Sequence, residues 1–244
     1  LTLLAGVRTV TLVSGSELVV VTQVAPYVDG PAGVHGVLDQ AAAGVTQVAE
    51  LNGLAGRRVD DVRALAPDAL DRIRALALFT IGETPWSAAQ REVILRRTRA
   101  GSLAVLAIHS ATDACYEWPE YRDLVGARFD GHPWTATVEL EVTEAGHPAT
   151  RHLGPTWSWH DEIYQFRDLR PDARILLRVP PEALDLDAPG AKRPPFGFPL
   201  AWCFTEGEGR VFSTSLGHFP GAWETPAYLR HLTGGLAWAL AGAA

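Results

Sequence analysis

Three short runs constrain this chain most: ELVVVTQ at 17–23, LALFT at 76–80 and LAVLAIH at 103–109. Each is a continuous apolar stretch without polar alternation. Such runs read as strands covered on both faces, as in a parallel sheet. Segments of helical character lie between them. PAGVHGVLDQAAAGV (31–45) places small and apolar residues at helical spacing, with Pro31 suited to a first turn. LDRIRALALFTIG (70–82) reads as a helix end running into the strand at Leu76–Thr80. In SAAQREVILRRTRAG (87–101) Ser87 can cap a helix, Gln90 stands three residues on as in a capping box, and Gly101 closes it. Strand, helix, strand, helix, strand in this order predicts βαβ units.

The second half changes character. TATVELEV (135–142) alternates and reads as a half-exposed strand, and ARILLRV (173–179) and GRVFSTSLGH (209–218) as further strands. PAYLRHLTGGLAWALAG (226–242) reads as a closing helix loosened by Gly234 and Gly235. The Pro/Gly-rich stretch 180–199 reads as a surface loop. No internal repeat interrupts the pattern, and 244 residues suffice for one domain, taken as 1–244.

Composition narrows the partners. A net charge of −7 repels phosphate backbones, so nucleic acid is not expected. No apolar run reaches the length of a membrane span. LTLLAGV at the start is short and lacks a basic leader, so no signal peptide is expected. Two cysteines, Cys115 and Cys203, make no disulfide framework and fit a reducing cytoplasm.

Five segments, in order, carry a resemblance: AIHSATDACYEWPEYRDLVGARFDGHP (107–133), HPATRHL (147–153), WHDEIYQF (159–166), PLAWCFTEGEGRVFSTSLGHFPGAW (199–223) and RHLTGGLAWALAG (230–242). Together they resemble the ThuA-like, trehalose-utilisation family over roughly residues 79 to 242. The first 75 residues match only loosely. The resemblance implies a class I glutamine amidotransferase-like fold, α/β, with a flavodoxin-like, open, mostly parallel sheet and helices on both faces. It also implies a link to disaccharide catabolism on sugars or keto-sugars. The family usually carries an Arg-His pair after the first strand; here that place holds Val28 and Asp29.

His109 ends a strand where an open α/β sheet binds its ligands. A glutamine amidotransferase would place cysteine there, whereas Cys115 comes six residues later. Glutaminase chemistry is therefore not expected. A lone histidine is ordinarily a core group, but His109 opens a run with Asp113 and Glu117, on one face if the segment is helical. His218 ends a second strand. Histidines and carboxylates at strand ends can supply acid/base catalysis or hold a divalent metal, zinc or manganese, on His109 and His218. Pro119 breaks the first helix and is expected to push Trp118 and Tyr121 toward a pocket rim, where aromatic faces suit a sugar ring; the competing expectation for Trp118 is plain core burial. Asp161 and Glu162 are carried over from the family's acidic pair, Asp161 the stronger of the two. Strand alternation lets only one of them face the pocket, beside Tyr164 or His160. His132, His147 and His231 read as structural or rim residues.

The first expectation is a cytoplasmic enzyme acting on a small-molecule carbohydrate. His109, Asp113, His218 and Asp161 would be catalytic, with Glu117, Trp118, Tyr121, Glu162 and Tyr164 binding substrate. The alternatives are a metal-dependent version of that enzyme and a non-catalytic sugar- or partner-binding domain. Homo-oligomerisation stays open. A catalytic His109 is expected to face open solvent, so that its removal costs activity and little stability.

Overall fold

The computed structural model describes residues 16–28 and 34–242, apart from the side chains of residues 34 and 35. Asp29, Pro31 and the opening stretch 1–7 lie outside the described residues. In chain order the first half runs β1 (Glu17–Val21), α1 (Leu38–Leu51), β2 (Ala55–Val59), a one-turn α2 (Pro67–Leu70), β3 (Ala75–Leu78), α3 (Ala88–Arg99) and β4 (Ala104–Ile108). Every residue of β3 and β4 is buried, which is why their sequences are continuously apolar. β2 carries no such run. Its Arg57 and Arg58 stand exposed on the sheet's outer edge, where charge blunts pairing with another chain.

The second half supplies α4 (Tyr121–Val125), the two-residue β5 (Arg128–Phe129), β6 (Trp134–Val142), β7 (Thr156–Ile163), the two-residue β8 (Phe166–Arg167), β9 (Arg174–Val179), β10 (Phe198–Glu206), β11 (Gly209–Thr214), α5 (Pro220–Glu224) and α6 (Pro226–Leu240). One sheet of nine strands runs β2-β1-β3-β4-β11-β10-β9-β6-β7. Its first five strands are parallel and follow the flavodoxin-like order, with β11 in fifth place. The remaining four pair antiparallel. The expected α/β fold is present, and an antiparallel extension nearly as wide as its parallel core is added to it. β10 hides behind the Pro/Gly-rich loop in the sequence, yet Phe198–Phe204 is wholly buried.

Helices cover both faces. On β11, Phe212 lies under Gly235 and His231 of α6, while Ser213, pointing the other way, donates to the carbonyl of Val125 in α4 at 2.7 Å. A methyl group at Gly235 would meet the Phe212 ring at 2.6 Å, so the glycine that loosens α6 is what lets it sit this close. The capping box at α3 forms as expected: Ser87 N–H donates to Gln90 Oε1 at 2.8 Å, and Gln90 N–H to Ser87 Oγ at 3.3 Å. Gln90 Nε2 goes on to bridge the Val62 and Leu65 carbonyls, so the cap also anchors α3 to the preceding loop. Among the described residues no helix is long and apolar enough to cross a membrane.

Candidate active site

β4 ends at Ile108 and the chain turns at once into a short 3-10 segment, His109–Asp113. His109 makes that turn at φ 51°, in the left-handed region, which for a residue with a side chain costs of order 1–3 kcal/mol. Neighbouring β11 is in register with β4, Thr214 opposite Ile108, so the loop Ser215–His218 leaves the sheet beside His109. This pairing is what brings two histidines 109 positions apart together.

His109 Nδ1 lies 2.8 Å from the Ser215 carbonyl. A carbonyl only accepts, so Nδ1 carries the hydrogen and Nε2 presents a lone pair. Around Nε2 stand the Tyr164 hydroxyl at 3.1 Å, His218 Nδ1 at 3.2 Å and Glu162 Oε2 at 3.8 Å. His218 Nδ1 is also 3.2 Å from Glu162 Oε2. His132 Nδ1 reaches Glu162 Oε1 at 3.7 Å, and its ring stacks on Tyr164. Phe79, just past β3, packs against the His109 ring. The parallel core thus supplies the two histidines, and the antiparallel extension supplies Glu162, Tyr164 and His132.

Alternation along β7 sorts the acidic pair. Asp161 points inward and is fully buried, while Glu162 points to the histidines. Each Asp161 oxygen takes two N–H donors: Oδ1 from Glu162 (3.0 Å) and His218 (3.2 Å), Oδ2 from Gly217 (2.8 Å) and the Trp159 indole (2.9 Å). These four donors occupy both oxygens, so Asp161 holds the backbone of Glu162 and of the His218 loop in place, and the structure does not bring its carboxylate into the His109–His218–Glu162 cluster.

Burial sets the charges. It pushes both His109 and His218 down to about 4. It pushes Glu162 up to about 7, with the nearby Asp161 adding to the rise. Asp161 is itself raised by burial, against the pull of its four donors. Asp113 is raised by burial, and the Tyr164 phenol stands well above its ordinary value for the same reason.

Several expected site residues lie elsewhere. Trp118 and Tyr121 are 2% exposed; Trp118 packs on Trp86 and Tyr121, and Tyr121 donates to the Ala111 carbonyl at 3.0 Å. Both are core, because the turn at Pro119 folds back onto the sheet and not outward. The helical face expected of 109, 113 and 117 does not form: the 3-10 segment ends at Asp113 and Cys115 is left-handed at φ 54°. Glu117 is therefore exposed, its N–H bonded to the Glu83 carboxylate. Asp113 accepts from the Tyr116 hydroxyl at 2.6 Å and makes no hydrogen bond to His109. Cys115 is buried off the turn beside Thr84, its thiol pushed up to about 11 by burial. His231 and His147 are packing groups, bonded to Ala149 from opposite sides. His132 is the contributor that sequence reasoning set aside; its place two residues before the strand that pairs with β7 was the available signal.

The comparisons agree with this architecture. The model of the family described as trehalose utilisation matches residues 27–239. The chain belongs to the ThuA family. The match takes in much of the first part of the chain, where the sequence motifs are only loosely similar. Val28, at the family's Arg-His place, sits in the turn after β1. Two ThuA-like proteins have similar structures. One, from Bacteroides uniformis, is 16% identical, with a TM-score of 0.74 over 96% of this chain and 95% of that one. The other, from Parabacteroides merdae, is 17% identical, with a TM-score of 0.72 over 93% and 91%. A cytoplasmic protein of Salmonella typhimurium, 11% identical, has a TM-score of 0.60 over 91% and 98%. These likenesses bear on the fold. No curated protein sequence matches this chain. The family's description associates this ThuA protein with sugar metabolism.

Proposed function

We propose that this ThuA protein is an enzyme that processes a sugar or keto-sugar by acid/base chemistry where His109, Glu162, His218 and Tyr164 meet. The observation that supports it is the convergence, within 3.8 Å of one another, of a lone-pair nitrogen and a second imidazole at the carboxyl ends of β4 and β11 and a carboxylate from β7. Carboxylate Oε2 of Glu162 accepts a proton from the substrate, either from a hydroxyl or from the carbon beside a carbonyl. Tyr164 O–H, the neutral donor, turns toward the oxygen on which negative charge develops. His218 Nδ1, in reach of both Glu162 and His109, relays the proton. Groups of this kind typically contribute about 10²–10⁴-fold each. Asp113 lies outside this set of contacts, its carboxylate bonded to the Tyr116 hydroxyl. The metal-dependent form is the second reading, favoured by the spacing of the same donor atoms.

The two buried, unpaired cysteines fit a cytoplasmic protein, and the acidic chain fits a small neutral carbohydrate better than a nucleic acid. Incubation with a panel of keto-sugars and disaccharides, with products read by mass spectrometry, tests the reading. Turnover that falls about 10²–10⁴-fold in Glu162→Gln and Tyr164→Phe supports it. Sugar binding without turnover across the panel, with and without added zinc or manganese, would turn the assignment into a binding domain.

A further inference from the structure

We infer that His109 Nε2, His218 Nδ1 and Glu162 Oε2 form the protein half of a divalent-cation site of the zinc class, its other positions left to water or substrate. The inference uses the side chains of the sugar reading but does not depend on it, since a cation can be measured without substrate.

The spacing carries it. Two donors on a tetrahedral zinc with bonds of about 2.0–2.1 Å stand about 3.3–3.4 Å apart. The three separations here are 3.2, 3.2 and 3.8 Å. A circle through three such points has a radius of about 2.0 Å, equal to a zinc–nitrogen or zinc–oxygen bond. A cation can therefore reach all three donors from where they already stand. They are the one cluster of three or more histidine, cysteine or carboxylate ligands among the described residues that lies so close together.

Three further features suit a cation. The Ser215 carbonyl holds His109 Nδ1–H, fixing the tautomer that offers Nε2, as the outer partner of a metal-bound histidine does. Asp161 holds the backbone N–H of both Glu162 and His218, so one buried carboxylate sets two of the three ligands. The Glu162 carboxylate has histidines as its only ion-pair neighbours among the described residues, with no lysine or arginine to balance it. Two imidazoles and one carboxylate match zinc better than magnesium or calcium, which take oxygen shells. Without a cation the lone pair of His109 Nε2 faces both the Tyr164 hydroxyl and His218 Nδ1, and His218 Nδ1 also faces Glu162; a cation would be held by all three donor atoms, with Tyr164 beside it as a proton donor.

The test strips the purified chain with a chelator, then titrates Zn²⁺ against a chromophoric competitor and counts metal per chain by elemental analysis. One equivalent is expected. Glu162→Gln and His218→Ala should each weaken binding by at least about 100-fold, since even a group that only supports a ligand is worth about 10–100-fold. Co²⁺ loading of the wild type should give the visible bands of a low-coordinate site, a readout that needs no variant to fold. Absence of stoichiometric binding, or equal affinity in the wild type and Glu162→Gln, overturns the inference. Zinc bound without sugar turnover would leave it standing and defeat the proposed function. Turnover by a chain that binds no zinc would do the reverse.

Discussion

Replacing Asp161 with Asn keeps the side chain's shape and removes half of what it does. One oxygen of the present carboxylate accepts from Glu162 and His218, the other from Gly217 and the Trp159 indole. In the amide one of those oxygens becomes an NH₂ facing two N–H donors, so two buried donors lose their acceptor. Each orphaned group costs about 1–3 kcal/mol, giving about 2–6 kcal/mol in total. At about 2–4 °C per kcal/mol for a chain of this length, a central loss of about 4 kcal/mol lowers Tm by about 8–16 °C. Urea unfolding followed by circular dichroism measures it, with an unchanged m-value showing that stability alone moved. Turnover should fall as well, because Glu162 and His218 lose their common anchor. A loss below about 1 kcal/mol, with activity kept, would refute the claim that this carboxylate holds the site together.

His109→Ala should abolish turnover and also cost about 2–3 kcal/mol in urea unfolding, because the ring is fully buried and bonded at both nitrogens; this reverses the sequence expectation of a solvated, stability-neutral histidine. Cys115 in the folded chain should resist iodoacetamide at pH 8, and Cys115→Ser should keep full activity, since the thiol is buried and pushed up to about 11. His231 is pushed down to about 3 by burial, so the unfolded chain binds its proton first: the contribution of this group to stability should be level above about pH 6.5 and fall as pH drops toward 3, and His231→Gln should take up to about 1.4 kcal/mol per pH unit out of the slope of the wild type in that window, read by pH-resolved unfolding of the two side by side. Gly235→Ala should cost about 1–3 kcal/mol by thermal melting, because the new methyl meets the Phe212 ring at 2.6 Å.

The parallel core was legible because burial on both faces leaves no room for polar residues, and LAVLAI could hardly be anything else. The position of His109 followed from the same run. β2 was invisible because an edge strand needs no apolar code, and β10 because its apolar run begins inside a Pro/Gly-rich loop. The aromatic residues misled. Nothing in EWPEY distinguishes a tryptophan packed on Trp86 from one lining a rim, since that depends on which way the turn folds against residues far along the chain. The acidic pair was legible as an alternation, one in and one out, but the sequence alone could not say that the inward member, Asp161, would be consumed by four backbone and indole donors.

β11 stands between β4 and β10 in space but follows both in the chain. A ribosome adding about 5–20 residues per second delivers His218 roughly 5–20 s after His109. For that interval β4 has an open edge where β11 will lie, and His109 has neither its Ser215 anchor nor its partner imidazole. A chain broken off just before residue 209 would keep β1–β10 and α1–α4 and still lack Ser215 and His218, and with them the cluster around His109. Truncated products of this protein should therefore be inert, and the middle of their sheet should be the surface that chaperones or other nascent strands meet first.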